Sequence, residues 1–192
     1  MHKPAFCFVA ALLAGCADTA LTTPARAQDA ARPASGESSM TATPPAVAQD
    51  HEALIASDDP RLEANKRLVY DMYRIVLQGG YADRAGEFIR EDYVQHNPNA
   101  AQGLAGIEDY IRSTRPERPL EDKIELPLIN LVAEGDYVIT SFVRREVDAE
   151  GETYYTTWFD MFRIEDGKIA EHWDPMTRND AKIDPNSQRL ED

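Results

Sequence analysis

The chain has 192 residues and carries 34 aspartates and glutamates against 20 lysines and arginines, a formal net charge of −14 at pH 7. Such an excess of negative charge repels phosphate backbones and anionic membrane surfaces, so nucleic acid is not expected as a partner. The two cysteines, Cys7 and Cys16, both stand within residues 1–16. The rest of the chain therefore offers no internal disulfide, thiol nucleophile or cysteine ligand for zinc.

Residues 1–16 are typical of a secretory signal. Lys3 precedes an apolar run over residues 5–13, which is too short to span a bilayer as a helix. The run ends in Leu13-Ala14-Gly15-Cys16, which resembles the bacterial lipobox, where the cysteine is lipidated and becomes the mature N-terminus. This predicts a lipid anchor on Cys16, as the only membrane attachment, and a place in the bacterial cell envelope facing the periplasm. The alternative is cleavage after Ala27, which would release a soluble periplasmic or secreted protein.

Two further segments differ in composition. Residues 17–50 are rich in Ala, Pro, Ser and Thr and contain no aromatic residue. Such a stretch cannot bury enough apolar surface to fold alone, so it is expected to be a flexible tether. Residues 51–192 have the size of a single domain.

Three helices are predicted in the first half of this domain. Asp59 and Pro60 favour a helix start, and apolar residues then recur at helical spacing. Gly79-Gly80 ends this helix, since glycine readily takes the left-handed conformation that follows a helix. The predicted helices span residues 60–78, 82–90 and 104–113, with an extended piece over residues 92–100 between the last two.

After Pro119 the apolar residues recur at every second position, which indicates strands. Pro127 weakens the first of them and favours an edge or bulged strand there. Helices followed by an antiparallel meander predict an α+β domain with helices on one face of the sheet. The predicted strands span residues 124–133, 137–147, 154–164 and 168–173.

The last two strands form a predicted hairpin whose register depends on its loop. A three-residue loop over Glu165-Asp166-Gly167, with Gly167 left-handed, would place Asp160 opposite His172 and Trp158 opposite Asp174. A two-residue loop would shift the register by one residue and separate Asp160 from His172. In the first register one face carries Trp158, Asp160, Phe162, Ile164, Lys168, Ala170, His172 and Asp174. The other face then carries Phe159, Met161, Arg163, Ile169, Glu171 and Trp173.

Asp160 interrupts an apolar run, "WFDMF", where an ionised carboxylate must find a partner. An imidazole opposite it would suit, and the two groups could then form a proton-transfer dyad. The alternative is a buried hydrogen bond between Asp160 and His172 that only stabilises the strand register.

Three segments together resemble a known family. They are "YVQHNPN" (residues 93–99), "GLAGIEDYI" (residues 103–111) and "FDMFRIEDGKIAEHWD" (residues 159–174). They are similar to the SnoaL-like polyketide cyclase group of the NTF2-like superfamily, over about residues 61–175. The resemblance implies an α+β cone in which a curved antiparallel sheet wraps the N-terminal helices and leaves a pocket. It also implies dimerisation through the outer sheet face, where Phe159, Met161 and Trp173 would suit an interface.

The resemblance further implies proton transfer without a cofactor, by residues drawn from Asp160, His172 and Asp174. In this interpretation His172 is the base, oriented by Asp160, and the reaction is an enolisation next to a carbonyl. The acid of the related ketosteroid isomerases matches Asp160 in "DMFR". Their general base would fall at Asn97, which cannot take a proton, so that activity is not expected unless His96 or His172 replaces the base.

The remaining candidates line the implied pocket, where Tyr73, Asn97, Trp158 and Phe162 would contact a small apolar or carbonyl compound. His96 is a further candidate if it shares the core-facing side with Val94, but the reverse orientation is equally compatible with the sequence. Histidines 96 and 172 with Asp160 or Asp174 have the residue types of a metal triad, yet no short ligand spacing appears, so no metal is expected. An enzyme, a non-catalytic ligand pocket and an interaction module remain as three hypotheses.

Overall fold

The structure of the protein is a computed structural model, and it describes residues 43–178. Helices precede most of the strands, as predicted, and a short α-helix that the sequence analysis did not predict comes first. The helices are α1 (His51–Ile55), α2 (Pro60–Asp71) with a π-helical continuation (Met72–Gln78), a 3-10 turn (Ala82–Arg84), α3 (Ala85–Phe88) and α4 (Gly103–Thr114). The strands are β1 (Ile89–Gln95), β2 (Leu128–Glu134), β3 (Tyr137–Val147), β4 (Thr153–Glu165) and β5 (Lys168–Trp173).

The long N-terminal helix has the predicted ends. The Asp59 side chain accepts a hydrogen bond from the backbone N–H of Arg61 at 2.8 Å, and Pro60 occupies the first turn. Gly80 has a φ of +78°, and a Cβ there would lie 2.5 Å from the carbonyl oxygen of Pro116. Glycine is therefore required at position 80 both by backbone conformation and by space.

The sheet has the strand order β1-β5-β4-β3-β2, so β2 lies at an edge as predicted. Strands β2 to β5 form the predicted antiparallel meander. Strand β2 begins at Leu128 and not at residue 124, because Pro127 has no N–H to donate to the ladder. Strand β1, predicted only as an extended piece, begins at Ile89 and joins the sheet parallel to β5.

The predicted register of the final hairpin is wrong. Glu165 pairs with Lys168, so the loop is the two-residue turn Asp166-Gly167, with φ values of 51° and 74°. The register then shifts between Arg163 and Ile164, which leaves Ala170 as the extra residue of a β-bulge. Two consequences differ from the prediction: His172 pairs with Phe162, and Ile169 is fully buried and not on the outer face.

The core lies between the helices and one face of the sheet, which confirms the α+β prediction. Tyr73 on the π-helical segment packs against Phe142 and Phe162 of the sheet, at ring-centroid distances of 5.1 and 5.9 Å. The opposite face of the sheet carries exposed apolar side chains, among them Phe159 with 53% of its surface accessible. No helix within residues 43–178 has both the length and the apolar character needed to cross a membrane.

The predicted signal segment, the lipidated Cys16 and the tether up to residue 42 lie outside the described residues. The last part of the tether contacts the domain, since the N–H of Ala48 donates to the carbonyl of Leu128 at 2.8 Å.

Candidate functional site

A cavity of about 720 Å³ lies between the π-helical segment, helix α4 and the inner face of the sheet. Its wall is mostly apolar and aromatic. Seven predicted site residues line it. They are Tyr73, Asn97, Trp158, Asp160, Phe162, His172 and Asp174.

The carboxylate of Asp160 is buried, with 4% of the residue accessible, and accepts hydrogen bonds from three side chains. The indole Nε1–H of Trp158 donates to Oδ1 at 2.8 Å, and Nε2 of His172 lies 3.1 Å from the same oxygen. The hydroxyl of Tyr73 donates to Oδ2. The predicted contact between Asp160 and His172 is thus present.

The imidazole of His172 has a protein partner on each ring nitrogen. Nδ1 lies 2.9 Å from Oε1 of Gln95, and Nε2 faces Asp160. The same Oε1 accepts the backbone N–H of Asn97 at 2.9 Å, so it is an acceptor and Nδ1 of His172 must donate to it. A hydrogen bond between Nε2 and Asp160 then requires one further proton between the two atoms, which is carried by Nε2 when the carboxylate is ionised.

Tyr73 reaches Asp160 from the first turn of the π-helical segment. Its hydroxyl also lies 3.2 Å from the hydroxyl of Thr140. Burial, together with the charge of Asp160, raises the pKa of Tyr73 well above its ordinary value, so the phenol stays a hydrogen-bond donor at neutral pH. π-Helical turns are often found at functional sites, and here the turn carries Tyr73, which donates to the central carboxylate.

Tyr93 and Gln95 belong to the site but were not predicted from the sequence. Gln95 is buried and donates through Nε2 to the hydroxyl of Tyr93 at 3.2 Å. Burial, with smaller contributions from Asp160 and Asp174, raises the pKa of Tyr93, which therefore also remains protonated. The signal that could have revealed both residues is the strand alternation, because Tyr93, Gln95 and Asn97 share one side of the chain.

Asp174 and Asn97 form a second polar pair at the cavity. Nδ2 of Asn97 donates to Oδ2 of Asp174 at 2.7 Å, and the backbone N–H of Met176 donates to Oδ1 at 3.0 Å. One ligand atom each from Asp160, His172 and Asp174 lies within 4.8 Å of the others, a donor set that a divalent cation could use. These atoms already have hydrogen-bond partners in the protein, and a cation would have to displace some of them.

His96 does not belong to the cavity, which corrects its assignment as a substrate-binding residue. Its ring stacks on Trp173 at 4.5 Å with an interplanar angle of 6°, and Nε2 lies 2.9 Å from Glu171. Since Gln95 and Asn97 point into the cavity, His96 between them must point to the outer face. The residue can therefore serve neither as the base nor as a metal ligand next to His172.

The chain belongs to the SnoaL-like domain family, whose sequence profile matches residues 69–172. The matched range contains the π-helical segment, strands β1 to β4, all of β5 except Trp173, and every cavity residue discussed above except Asp174 and Met176. The predicted family membership is thereby confirmed.

Solved structures of similar proteins come from several bacteria. TsrD from Streptomyces laurentii is 27% identical, with 62% of this chain and 90% of that chain covered, at a TM-score of 0.40. An LEH-like epoxide hydrolase of M. tuberculosis is 18% identical, with 60% and 84% covered, at 0.44. An NTF2-like protein of unknown function from Burkholderia pseudomallei is 13% identical, with 59% and 91% covered, at 0.43. A comparison with curated proteins finds no match.

Proposed function

We propose that this protein is a cofactor-free enzyme of the SnoaL-like type that transfers a proton next to the carbonyl group of a small, largely apolar compound. The observation that carries the proposal is the environment of Asp160. A buried carboxylate with three donors faces a cavity large enough for a small organic molecule. Burial and directed hydrogen bonds are the means by which enzymes prepare a carboxylate for proton transfer.

Asp160, and not His172, is the group that meets the substrate in this proposal. Both ring nitrogens of His172 are occupied by Gln95 and Asp160. An ionised carboxylate has about four acceptor positions, and three of those on Asp160 are filled, so one is left for a substrate C–H. In this state Nε2–H of His172 donates to Oδ1, so the abstracted proton stays on Asp160 until it returns to the substrate carbon.

The developing enolate oxygen needs a hydrogen-bond donor. The hydroxyl of Tyr93 suits this role, since it accepts from Gln95 and its own proton has no acceptor within residues 43–178. Its raised pKa keeps that proton in place at neutral pH. A donor aimed at developing charge in a water-poor site contributes strongly to catalysis.

The test is deuterium incorporation next to the carbonyl of 1-indanone and 2-tetralone in D2O, followed by proton NMR in a buffer containing a chelator. We expect exchange above the buffer rate, and a loss on the order of a hundredfold or more in Asp160→Asn. Asp92→Asn is the matched control, because Asp92 is an exposed carboxylate paired with Arg90 at 2.8 Å.

Exchange at the buffer rate for both ketones, combined with measurable binding of either, would contradict the enzymatic proposal. It would favour the second candidate, a non-catalytic pocket that holds an apolar small molecule. The apolar wall of the cavity is compatible with that candidate. In such a pocket the hydrogen bonds to Asp160 would only stabilise the fold.

We also propose that the protein forms a homodimer through the outer sheet face. Tyr137, Ile139 and Phe159 on this face leave 43%, 37% and 53% of their surfaces exposed, and contiguous exposed apolar surface marks interaction sites. Sedimentation velocity is expected to show a dimer that Phe159→Asp dissociates. Leu120→Asp, an exposed position outside the sheet, is the control. A wild-type monomer at high protein concentration would exclude this interface.

The location at the bacterial cell envelope is likewise a proposal, supported by the lipobox-like residues 13–16. Radiolabelled palmitate is expected to be incorporated into the full chain and to be lost in Cys16→Ser, with Cys7→Ser as the control. Label that persists in Cys16→Ser would remove the anchor and leave release after Ala27 as the alternative.

A further inference from the structure

The wall of the cavity has an unbalanced charge. Asp109, Asp160 and Asp174 line it, and His172 is the only basic residue among the lining residues described here, which include neither lysine nor arginine. A cavity built to bind a carboxylate or a phosphate would be expected to present such a cation. The negative charge of the wall therefore favours a ligand with a positive charge over one with a negative charge.

Within residues 43–178, Asp160 and Asp174 have no cationic side-chain partner other than His172. Asp109 differs from them, since it is exposed and lies 3.6 Å from Nη1 of Arg112. The donors to Asp160 are an indole, a phenol and the imidazole of His172. The donors to Asp174 are the amide of Asn97 and the backbone N–H of Met176, which are neutral.

The two aspartates are also close together, since one oxygen of each lies within 4.8 Å of the other and of a His172 ring nitrogen. One imidazole can offset only one carboxylate. With both carboxyl groups ionised, the polar end of the cavity lacks at least one positive charge. Like charges at this distance in a poorly solvated site repel strongly, and a bound cation relieves the repulsion.

We propose that the cavity binds an apolar compound carrying a protonated amine, with the ammonium group at Asp174, and that it discriminates against carboxylates. Two acceptor positions of Asp174 are filled by Asn97 and Met176, which leaves others for ammonium N–H groups. The aromatic faces of Tyr93, Trp158 and Phe162 suit both an apolar body and a nearby cation. The inference rests on the proposed function for the use of this cavity, and it makes the substrate an amine-bearing carbonyl compound.

The test compares three probes with one apolar body: 2-aminoindane, 2-indanol and indane-2-carboxylate, each titrated calorimetrically into the full chain at neutral pH. We expect the amine to bind more tightly than the carboxylate by a factor on the order of ten, with the alcohol between them. Asp174→Asn is expected to reduce the difference to about threefold or less. Asp166→Asn, in the exposed β4–β5 turn, should preserve it.

Tighter binding of the carboxylate, no saturable binding of the amine, or an unchanged preference in Asp174→Asn would each overturn the proposal. These outcomes are separate from a failure of the proposed reaction. A chain that prefers the amine but exchanges no deuterium contradicts only the enzymatic proposal. A chain that exchanges deuterium yet prefers the carboxylate contradicts only the present one.

Discussion

Nε2 of His172 lies 3.1 Å from Oδ1 of Asp160, although the residue directly paired with His172 is Phe162. The two side chains therefore meet diagonally across the strands. The bulge at Ala170 makes this contact possible, because it returns His172 to the inner face after the two-residue turn has shifted the register. Without the extra residue, the same turn would place the imidazole on the opposite face of the sheet.

Gln95 is expected to keep Nδ1 of His172 protonated. Replacing it by leucine removes the acceptor for Nδ1–H and for the N–H of Asn97, whereas Gln95→Glu keeps an acceptor at the same place. We expect the ¹⁵N spectrum of His172 to show a protonated Nδ1 in the wild type and in Gln95→Glu. In Gln95→Leu this preference should be lost, with a destabilisation of about 1–3 kcal/mol. An unchanged ¹⁵N spectrum in Gln95→Leu would mean that another group keeps Nδ1 protonated.

Replacing Tyr73 or Tyr93 by phenylalanine removes one buried hydroxyl in each case, so the two variants can be compared directly. The hydroxyl of Tyr73 donates to Asp160 and contacts Thr140, so Tyr73→Phe should lower the free energy of unfolding by about 1–3 kcal/mol. Tyr93→Phe removes only the acceptor for Gln95 and should cost about 1 kcal/mol or less, while slowing deuterium exchange more than Tyr73→Phe does. Urea denaturation and the exchange assay measure the two effects. The reverse order of exchange rates would assign the oxyanion contact to Tyr73.

His51 is expected to make stability depend on pH. Burial, aided by the charge of Lys123, lowers the pKa of His51 below its ordinary value of 6.5. Its Nδ1 lies 2.8 Å from the hydroxyl of Tyr70, which also accepts the N–H of Ile124 and still has its own proton to donate to a neutral imidazole. The unfolded chain thus binds this proton more tightly than the folded one, so stability is complete above about pH 6.5 and falls as the pH drops through the lowered folded pKa.

The size of this effect is at most about 1.4 kcal/mol for each unit by which the two pKa values differ. His51→Gln can keep the contact with Tyr70 but cannot be protonated. The free energy of unfolding can be measured by chemical denaturation between about pH 4 and pH 8, which spans the titration of histidine. It should fall less steeply towards acid pH in the variant than in the wild type. Parallel curves for wild type and His51→Gln would show that another group causes the acid loss.

Gly80 and Gly135 both have positive φ values, +78° and +56°, but different surroundings. At Gly135 an added Cβ meets nothing within 4 Å. Gly135→Ala should therefore lower the free energy of unfolding only by the cost of a left-handed backbone conformation, about 1–2 kcal/mol. At Gly80 the Cβ would also collide with the backbone of Pro116, so Gly80→Ala should cost roughly twice as much or more. Equal melting temperatures for the two variants would show that the segment around Pro116 moves away without cost.

Much of the fold could be predicted because its signals are local. The capping carboxylate of Asp59, the glycines after the long helix and the period-two strands each act within a few residues. The π-helical segment was not predicted, since its apolar positions also suit an ordinary helix. The parallel pairing of β1 with β5 was not predicted either, because it joins segments about 77 residues apart, the separation of Gln95 and His172.

The sequence by itself determined the family, the order of the elements and the need of Asp160 for a partner, because composition, periodicity and capping are properties of short segments. Only the tertiary structure decided that a bulge restores His172 to the cavity, that Gln95 and Tyr93 complete the site, and that His96 lies on the outer face. The physical reason is that strand register and pairing depend on contacts between distant segments, and a shift of one residue reverses the face of every side chain that follows.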